Sequence, residues 1–243
     1  AAMGVTLQTA MVLAAGLGTR MRPLSENVPK PLVPVAGKPL IDHVLDRLAA
    51  AGIRRAVVNV HHRADQLVAH LEARASPATT ISDERDRLLD SGGGVLKALP
   101  LLGPGSFLIH NCDAIWTEGA TSNLAKLAAA WDEDAMDCLM LLAPAETSLG
   151  YHGRGDFALD AAARVRRPEP QERVPFVFAG VSVAHPRLFD GAPDGPFSLN
   201  RPWDGAIARG RAFGVVLEGR WMHVGDPAAV TAAEGWINSQ HER

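Results

Sequence analysis

Apolar and polar residues along this chain fall into blocks that switch between two periods. The run Met11-Val12-Leu13-Ala14-Ala15 is too short for most helices and reads as a strand buried on both faces. Over residues 38–51, Leu40, Ile41, Val44, Leu45 and Leu48 recur at helical spacing, and Gly52 stops the run. Residues 56–60 form a β-branched strand, 64–75 a helix with Leu67, Val68 and Leu71 on one face, and 79–82 another strand. Ser91 and the glycines Gly92, Gly93 and Gly94 then read as a loop ahead of an apolar helix over 95–102. A strand over 106–110, a helix over 123–131 and a strand over 137–143 continue the alternation. After Pro144 the pattern becomes glycine-rich and polar at 151–157 and charged at 164–173. A strand at 175–184, a helix at 197–208, a strand at 213–217 and a helix at 227–237 close the chain.

Strands alternating with helices predict an α/β fold, with a mostly parallel mixed sheet and helices on both faces. In such sheets ligands sit beyond the carboxyl ends of the strands. The small-residue turn after the first strand and Asp113, just past the strand at 106–110, belong to that edge. No break in composition marks a linker, so one domain is expected, with residues 1–143 as a nucleotide-binding half and 144–243 as an acceptor-binding half.

Composition narrows the function. With 243 residues, 47% hydrophobic and 21% charged, the chain has a globular profile. Its net charge of -3 argues against broad nucleic-acid binding, so any phosphate must be read by a local cluster. Cys112 and Cys138 are the only cysteines and are not spaced as a C-x-x-C pair, which suits a reduced, cytoplasmic protein without structural zinc. No basic stretch followed by an apolar core opens the chain, and no apolar run approaches membrane length, so neither a secretory signal nor a membrane partner is expected. Ala1-Ala2 ahead of Met3 reads as an addition to the natural start.

Phosphate chemistry concentrates in the first 32 residues. Leu13, Ala14, Ala15, Gly16 and Gly18 form a turn whose backbone amides can approach an anion, followed by Thr19, Arg20 and Arg22. Lys30 stands between two prolines that stiffen its loop. The dinucleotide fingerprint fails, because Met21 stands where its third glycine belongs, and the P-loop fails because Pro39 follows Gly37-Lys38. What remains, at 13–24 and 29–32, resembles the L-A-A-G-x-G-T-R-[ML]-x-P-L and P-K-P-[LM] signature of the sugar-1-phosphate nucleotidyltransferases.

That resemblance implies a Rossmann-like nucleotidyltransferase domain that joins an NTP to a sugar 1-phosphate and releases pyrophosphate. It implies that Arg20 and Lys30 hold triphosphate charge, that Ser91, Gly92 and Gly93 lie against the base, and that Asp113 holds Mg²⁺, with Mn²⁺ also accepted. Cys112 departs from the family's usual glycine before that aspartate and reads as packing. In the family's W-x-D-x-G segment, here Trp221 to Gly225, His223 stands at the aspartate position. Asp226-Pro227 reads as a helix cap, so the second metal ligand stays open between His223 and Asp226. The segment His152-Gly153-Arg154-Gly155-Asp156-Phe157 resembles one branch, the N-acetylmuramate-1-phosphate uridylyltransferases. This adds Asn111, Gly153, Arg154 and Gly180 as sugar-phosphate contacts, with UTP the preferred nucleotide. The family's E-K-P acceptor-phosphate segment is missing, and Arg166-Arg167-Pro168 occupies that stretch, so Arg167 is read as the fork that takes over the phosphate contact. Guanylyl or thymidylyl transfer to another hexose phosphate, and a silent nucleotide-sugar-binding regulator, are the rival readings.

Overall fold

The computed structural model describes residues 6–242, so Ala1-Ala2 lie outside the described residues. Its principal strands are β1 (Thr9–Leu13), β2 (Arg55–Val60), β3 (Ala78–Asp83), β4 (Phe107–Asn111), β5 (Ala114–Glu118), β6 (Cys138–Pro144), β7 (Phe176–Ala184), β8 (Ala212–Val216) and β9 (Gly219–His223). The helices are α1 (Leu40–Ala50), α2 (Ala64–Glu72), α3 (Asp90–Leu102), α4 (Asn123–Ala130), α5 (Asn200–Ala208) and α6 (Pro227–His241). Seven strands form one sheet in the order β8-β6-β7-β4-β1-β2-β3. Neighbours run parallel except β7, which is antiparallel to both β4 and β6. The expected single α/β domain with a mostly parallel mixed sheet is what the chain adopts.

Period-two alternation assigns the two faces. In β1, Ala10 and Val12 pack with Ile41, Leu45 and Leu48 of α1, Leu67 of α2 and Leu127 of α4. Met11, between them, points the other way, onto Val95 and Ala98 of α3 and Trp203 and Ala206 of α5. The central strands are therefore covered on both faces, which is why they read as continuous apolar runs, whereas the edge strand β3 is only partly buried. A third cluster joins Met21, Val33, Val35 and Leu40 to Val230 and Ala233 of α6, and fastens the loop after β1 to the end of the chain.

Two features depart from the sequence reading. The glycine triplet is no open loop: α3 begins at Asp90, and all three glycines are buried in its first turns. A Cβ on Gly92 would lie 2.4 Å from the Phe197 ring, and the amides of Gly92 and Gly93 donate to the Phe197 carbonyl at 2.8 and 3.1 Å. The glycines thus let a later segment, residues 195–199, press against the helix start. The second departure is a separate antiparallel ribbon of β5 and β9, in which Ala114 faces His223. Its strands pair across about a hundred residues of sequence, a partnership that no local pattern encodes.

At the opposite edge of the sheet, Asp137 is a buried carboxylate, 4% exposed, held by Arg187 Nε at 2.7 Å, Arg209 Nη2 at 3.0 Å and Arg211 Nε at 2.8 Å. Burial by itself would raise its pKa, but the hydrogen bonds from the three guanidiniums outweigh that and bring it from 3.8 to about 2. Because the folded value lies below the unfolded one, the stabilisation is fully present above pH ~4 and is lost as pH falls through about 2; it amounts to roughly 2–3 kcal/mol. Urea unfolding of the wild type and Asp137→Asn should differ by that order at pH 7, and the difference should shrink steadily between pH 4 and pH 2.

Candidate active site

Two adjoining cavities open at the carboxyl edge of the sheet. The larger, of about 690 Å³, is lined by Leu13, Ala14, Ala15 and Gly16 after β1, by Arg20 and Lys30, by Asn59 of β2, by Asp90 and Ser91 at the start of α3, and by Pro196. The smaller, of about 270 Å³, is lined by Tyr151, Asp156, Phe178, Gly180, Trp221 and His223. Asn111 and Asp113 line both. A molecule in one cavity and a molecule in the other would meet across these two residues.

Asp113 is held at this junction by the chain on either side of it. Only Cys112 and Asp113 separate β4 from β5, and the Cys112 amide donates to Leu13 O at 3.1 Å, tying the connection to the turn after β1. Lys30 Nζ lies 2.6 Å from Asp113 Oδ2. Burial works to lower the lysine's pKa, but its ion pair with Asp113 outweighs burial and leaves it raised, so Lys30 is a cation across the neutral range. Cys112 is buried, and burial together with the Asp113 charge pushes its thiol up to about 12, so it packs and does not serve as a nucleophile.

The turn after β1 is organised from behind. Asn59 Oδ1 accepts from the Ala14 amide at 2.6 Å, and Asn59 Nδ2 donates to Glu84 Oε2 at 2.7 Å. The other Glu84 oxygen accepts from the Leu89 amide at 3.0 Å, so one fully buried carboxylate links the β1 turn to the approach to α3. The Ala14 amide is therefore committed within the protein, whereas among the described residues the amides of Ala15 to Gly18 have no protein acceptor and are free for an anion. Gly18, at φ +66°, lets the loop fold over Lys30, whose Cβ would lie 2.9 Å from a Cβ added there. Thr19 opens a short 3₁₀ turn and does not line the cavity. Sequence reading missed Asn59 and Glu84; a polar residue inside the apolar run Ala56-Val57-Val58-Asn59-Val60 was the available signal.

The acceptor-side residues divide. Gly180 lines the smaller cavity at φ +92°, within the irregularity of β7, and a Cβ there would meet the Ala114 Cβ at 2.6 Å. Gly153 and Gly155 shape the loop instead. A Cβ on Gly153 would strike the Tyr151 hydroxyl at 2.2 Å, and that hydroxyl accepts from the Gly155 amide at 3.0 Å. Asp156 accepts from the Phe178 amide at 2.8 Å. Arg154 is exposed and lines neither cavity. Arg167 is engaged elsewhere, at 2.9 Å from both Asp204 and Asn200 and stacked over Phe157, so the structure does not bring it to the cavity. Gly92 and Gly93, buried against Phe197, do not line the larger cavity; Ser91 does. Tyr151, Asp156 and Trp221 are lining residues that the sequence reading did not single out.

The donor set for a metal is small. His223 and Asp113 share the smaller cavity, and the ribbon pairs His223 with Ala114, the residue after Asp113. Among the described residues no third His, Cys, Asp or Glu completes a group able to hold an ion. Asp226 caps α6, its Oδ1 accepting from the Ala229 amide at 2.8 Å, and Pro227 follows at the first helical position. One hard carboxylate oxygen beside a phosphate-sized cavity fits Mg²⁺ only where phosphate oxygens complete its shell.

An α/β sheet with a turn of free amides and a carboxylate at its carboxyl edge suits a nucleotide-handling enzyme. The chain belongs to the MobA-like NTP transferase domain family, which it matches over residues 10–180. It is 52% identical, over 93% of its length and 95% of the relative's, to the N-acetylmuramate alpha-1-phosphate uridylyltransferase of Caulobacter vibrioides. The Neisseria meningitidis protein of the same name is 34% identical over 93% of this chain and 96% of its own. A UDP-glucose pyrophosphorylase solved with UDP-glucose superposes with a TM-score of 0.80, covering 96% of this chain and 99% of that one at 14% identity, a likeness of fold. This is a sugar-1-phosphate nucleotidyltransferase. Among the described residues, no helix is long and apolar enough to cross a membrane.

The capping bond makes Asp226 structural. Asp226→Ala should cost about 1 kcal/mol in urea unfolding while leaving the rate of metal-dependent turnover at its wild-type level; a lost turnover in a folded variant would move the second metal ligand to Asp226.

Proposed function

We propose that this chain transfers the uridylyl group of UTP to N-acetylmuramate 1-phosphate in the cytoplasm, forming a UDP-sugar and pyrophosphate. The reading rests on the Lys30–Asp113 pair at the junction of two cavities, and the 52% identical relative supports the choice of base and sugar. The larger cavity, built mainly by residues 1–143, takes the nucleotide; the smaller, built mainly by 144–243, takes the sugar phosphate.

A sugar phosphate with a second pKa near 6 is largely a dianion at pH 7, so its attacking oxygen needs no general base. That oxygen forms a bond to the α-phosphorus of UTP as the bond to the bridging α–β oxygen breaks, and pyrophosphate leaves with the electron pair. Arg20, Lys30 and the free amides of Ala15 to Gly18 neutralise charge on the triphosphate. Asn111 and Asp113 lie where both reactants meet. Asp113 and His223 are the residues that would hold Mg²⁺, which supplies charge neutralisation at the α-phosphate when bound.

Mixing the protein with Mg²⁺, UTP and N-acetylmuramate 1-phosphate should release pyrophosphate faster than any pairing of GTP, ATP or dTTP with glucose, mannose or N-acetylglucosamine 1-phosphate. A faster rate with GTP and mannose 1-phosphate would overturn the base and sugar while leaving the class intact. Lys30→Ala and Arg20→Ala should each lower turnover by at least about a hundredfold, the scale of one lost electrostatic stabiliser; near-normal rates in folded protein would remove them from the site. A nitrogen ligand favours softer ions, so His223→Asp should raise the rate with Mg²⁺ relative to Mn²⁺. An unchanged ratio would take His223 out of the metal shell.

A further inference from the structure

Behind the Cys112-Asp113 connection lies a polar stack that neither cavity contains. Arg47 projects from α1, and its Cζ lies 3.7 Å from the ring centre of Trp116 in β5. His110 of β4 stacks on Trp116, with ring centres 5.6 Å apart and planes within 9° of parallel. Arg47 Nη1 is 3.1 Å from Ala114 O and 3.3 Å from His110 Nε2, and His110 Nδ1 is 2.9 Å from Asn111 O. Arg47 and His110, stacked on Trp116, therefore hold two backbone carbonyls, one on each side of Cys112-Asp113.

The protonation pattern is fixed by these contacts. Burial, and then the Arg47 charge, pushes the His110 pKa well below its ordinary value, so the ring is neutral. Nδ1 carries the proton and donates to Asn111 O, and Nε2 accepts from Arg47. Burial also brings the Arg47 guanidinium down to about 10. Among the described residues Arg47 forms no ion pair, and Glu118, whose charge favours it from a distance, accepts instead from the Asn123 amide and side chain. A desolvated cation without a carboxylate carries a large burial cost, which makes it an expensive choice for packing alone. Its side-chain hydrogen bonds and ring contact are to β4 and β5, the strands that flank Cys112-Asp113.

We propose that Arg47, through His110 and Trp116, is a positioning residue that fixes Asn111 and Asp113 at the junction of the two cavities. The proposal rests on the reading of Asp113 as the metal-holding carboxylate. With both flanking carbonyls held, the Asp113 carboxylate has one direction in which to meet the nucleotide's metal. Without Arg47 the connection keeps its chain path through Cys112 and Leu13 but loses its rear support, and a misplacement of about 1 Å at a reacting group costs up to roughly a hundredfold in rate.

The variants are Arg47→Met, which fills the space without charge, Arg47→Lys, which restores charge without the planar fork, and His110→Phe, which keeps the stack but loses both nitrogen contacts. Arg47→Met should fold, melting somewhat below wild type because Ala114 O and His110 Nε2 lose their donor, and should bind UTP without metal as tightly as wild type. Its turnover should fall roughly ten- to a hundredfold, and the tightening of UTP binding that Mg²⁺ brings, read by calorimetry, should largely disappear. Arg47→Lys should recover part of both, and His110→Phe should behave like Arg47→Met; His110→Phe carries the test if Arg47→Met does not fold. Turnover within twofold of wild type, or a loss matched by weaker metal-free UTP binding, would overturn the proposal. Asp113→Asn separates the two claims. Tightening lost there but kept in Arg47→Met overturns the positioning role alone, and tightening kept in Asp113→Asn overturns the metal assignment and the positioning role with it.

Discussion

Two residues, Cys112 and Asp113, connect β4 to β5, and that short span constrains the rest of the site. β4 lies in the main sheet, whereas β5 pairs with β9 outside it, so the chain must leave the sheet plane within a single short step. Ordinary loop residues would make such a connection mobile. Here the Cys112 amide is bonded to Leu13 O, Asp113 is bonded to Lys30, and the carbonyls on both sides are held from behind. A carboxylate that lines both cavities is thereby held between two fixed strand ends.

The same economy appears around the larger cavity. A buried carboxylate, Glu84, reaches the β1 turn through the Asn59 amide and the approach to α3 through the Leu89 amide. Each of its bonds is to a neutral donor, so the network fixes geometry without adding a cation that would compete for phosphate. A Cβ on Gly94 would lie 2.9 Å from Asn59 Nδ2 and 3.1 Å from Glu84 Oε2, which explains one glycine of the triplet by packing alone. Positive charge is left to Arg20 and Lys30, which line the cavity itself.

Most of the fold was legible because the strands and helices are locally periodic and the sheet is covered on both faces; Met11 and its neighbours Ala10 and Val12 show this within three residues. That the turn after β1 and Asp113 share one edge of the sheet was legible for a different reason, since each sits directly after an apolar run. The ribbon of β5 and β9 was not, because its register is set by a partner far along the chain. Nor was the role of the glycine triplet, whose neighbour Phe197 is equally remote. Arg167 shows the converse failure: a cation in the right stretch of sequence turned toward Asp204 and Asn200, where a carboxylate and an amide were closer at hand.

The contact between Phe197 and the start of α3 bears on how the protein comes into being. Pro196, which walls the larger cavity, and Trp221 and His223, which wall the smaller, all follow residue 180, where the family match ends. Synthesis runs from the amino end, so the phosphate turn emerges long before the segment that finishes its enclosure. A nascent chain long enough to carry every residue of the signature still lacks a closed site. Joining residues more than a hundred positions apart is slow relative to local helix formation, which makes completion of the cavities a late event in folding. Both cavities thus take their last walls from residues beyond 180.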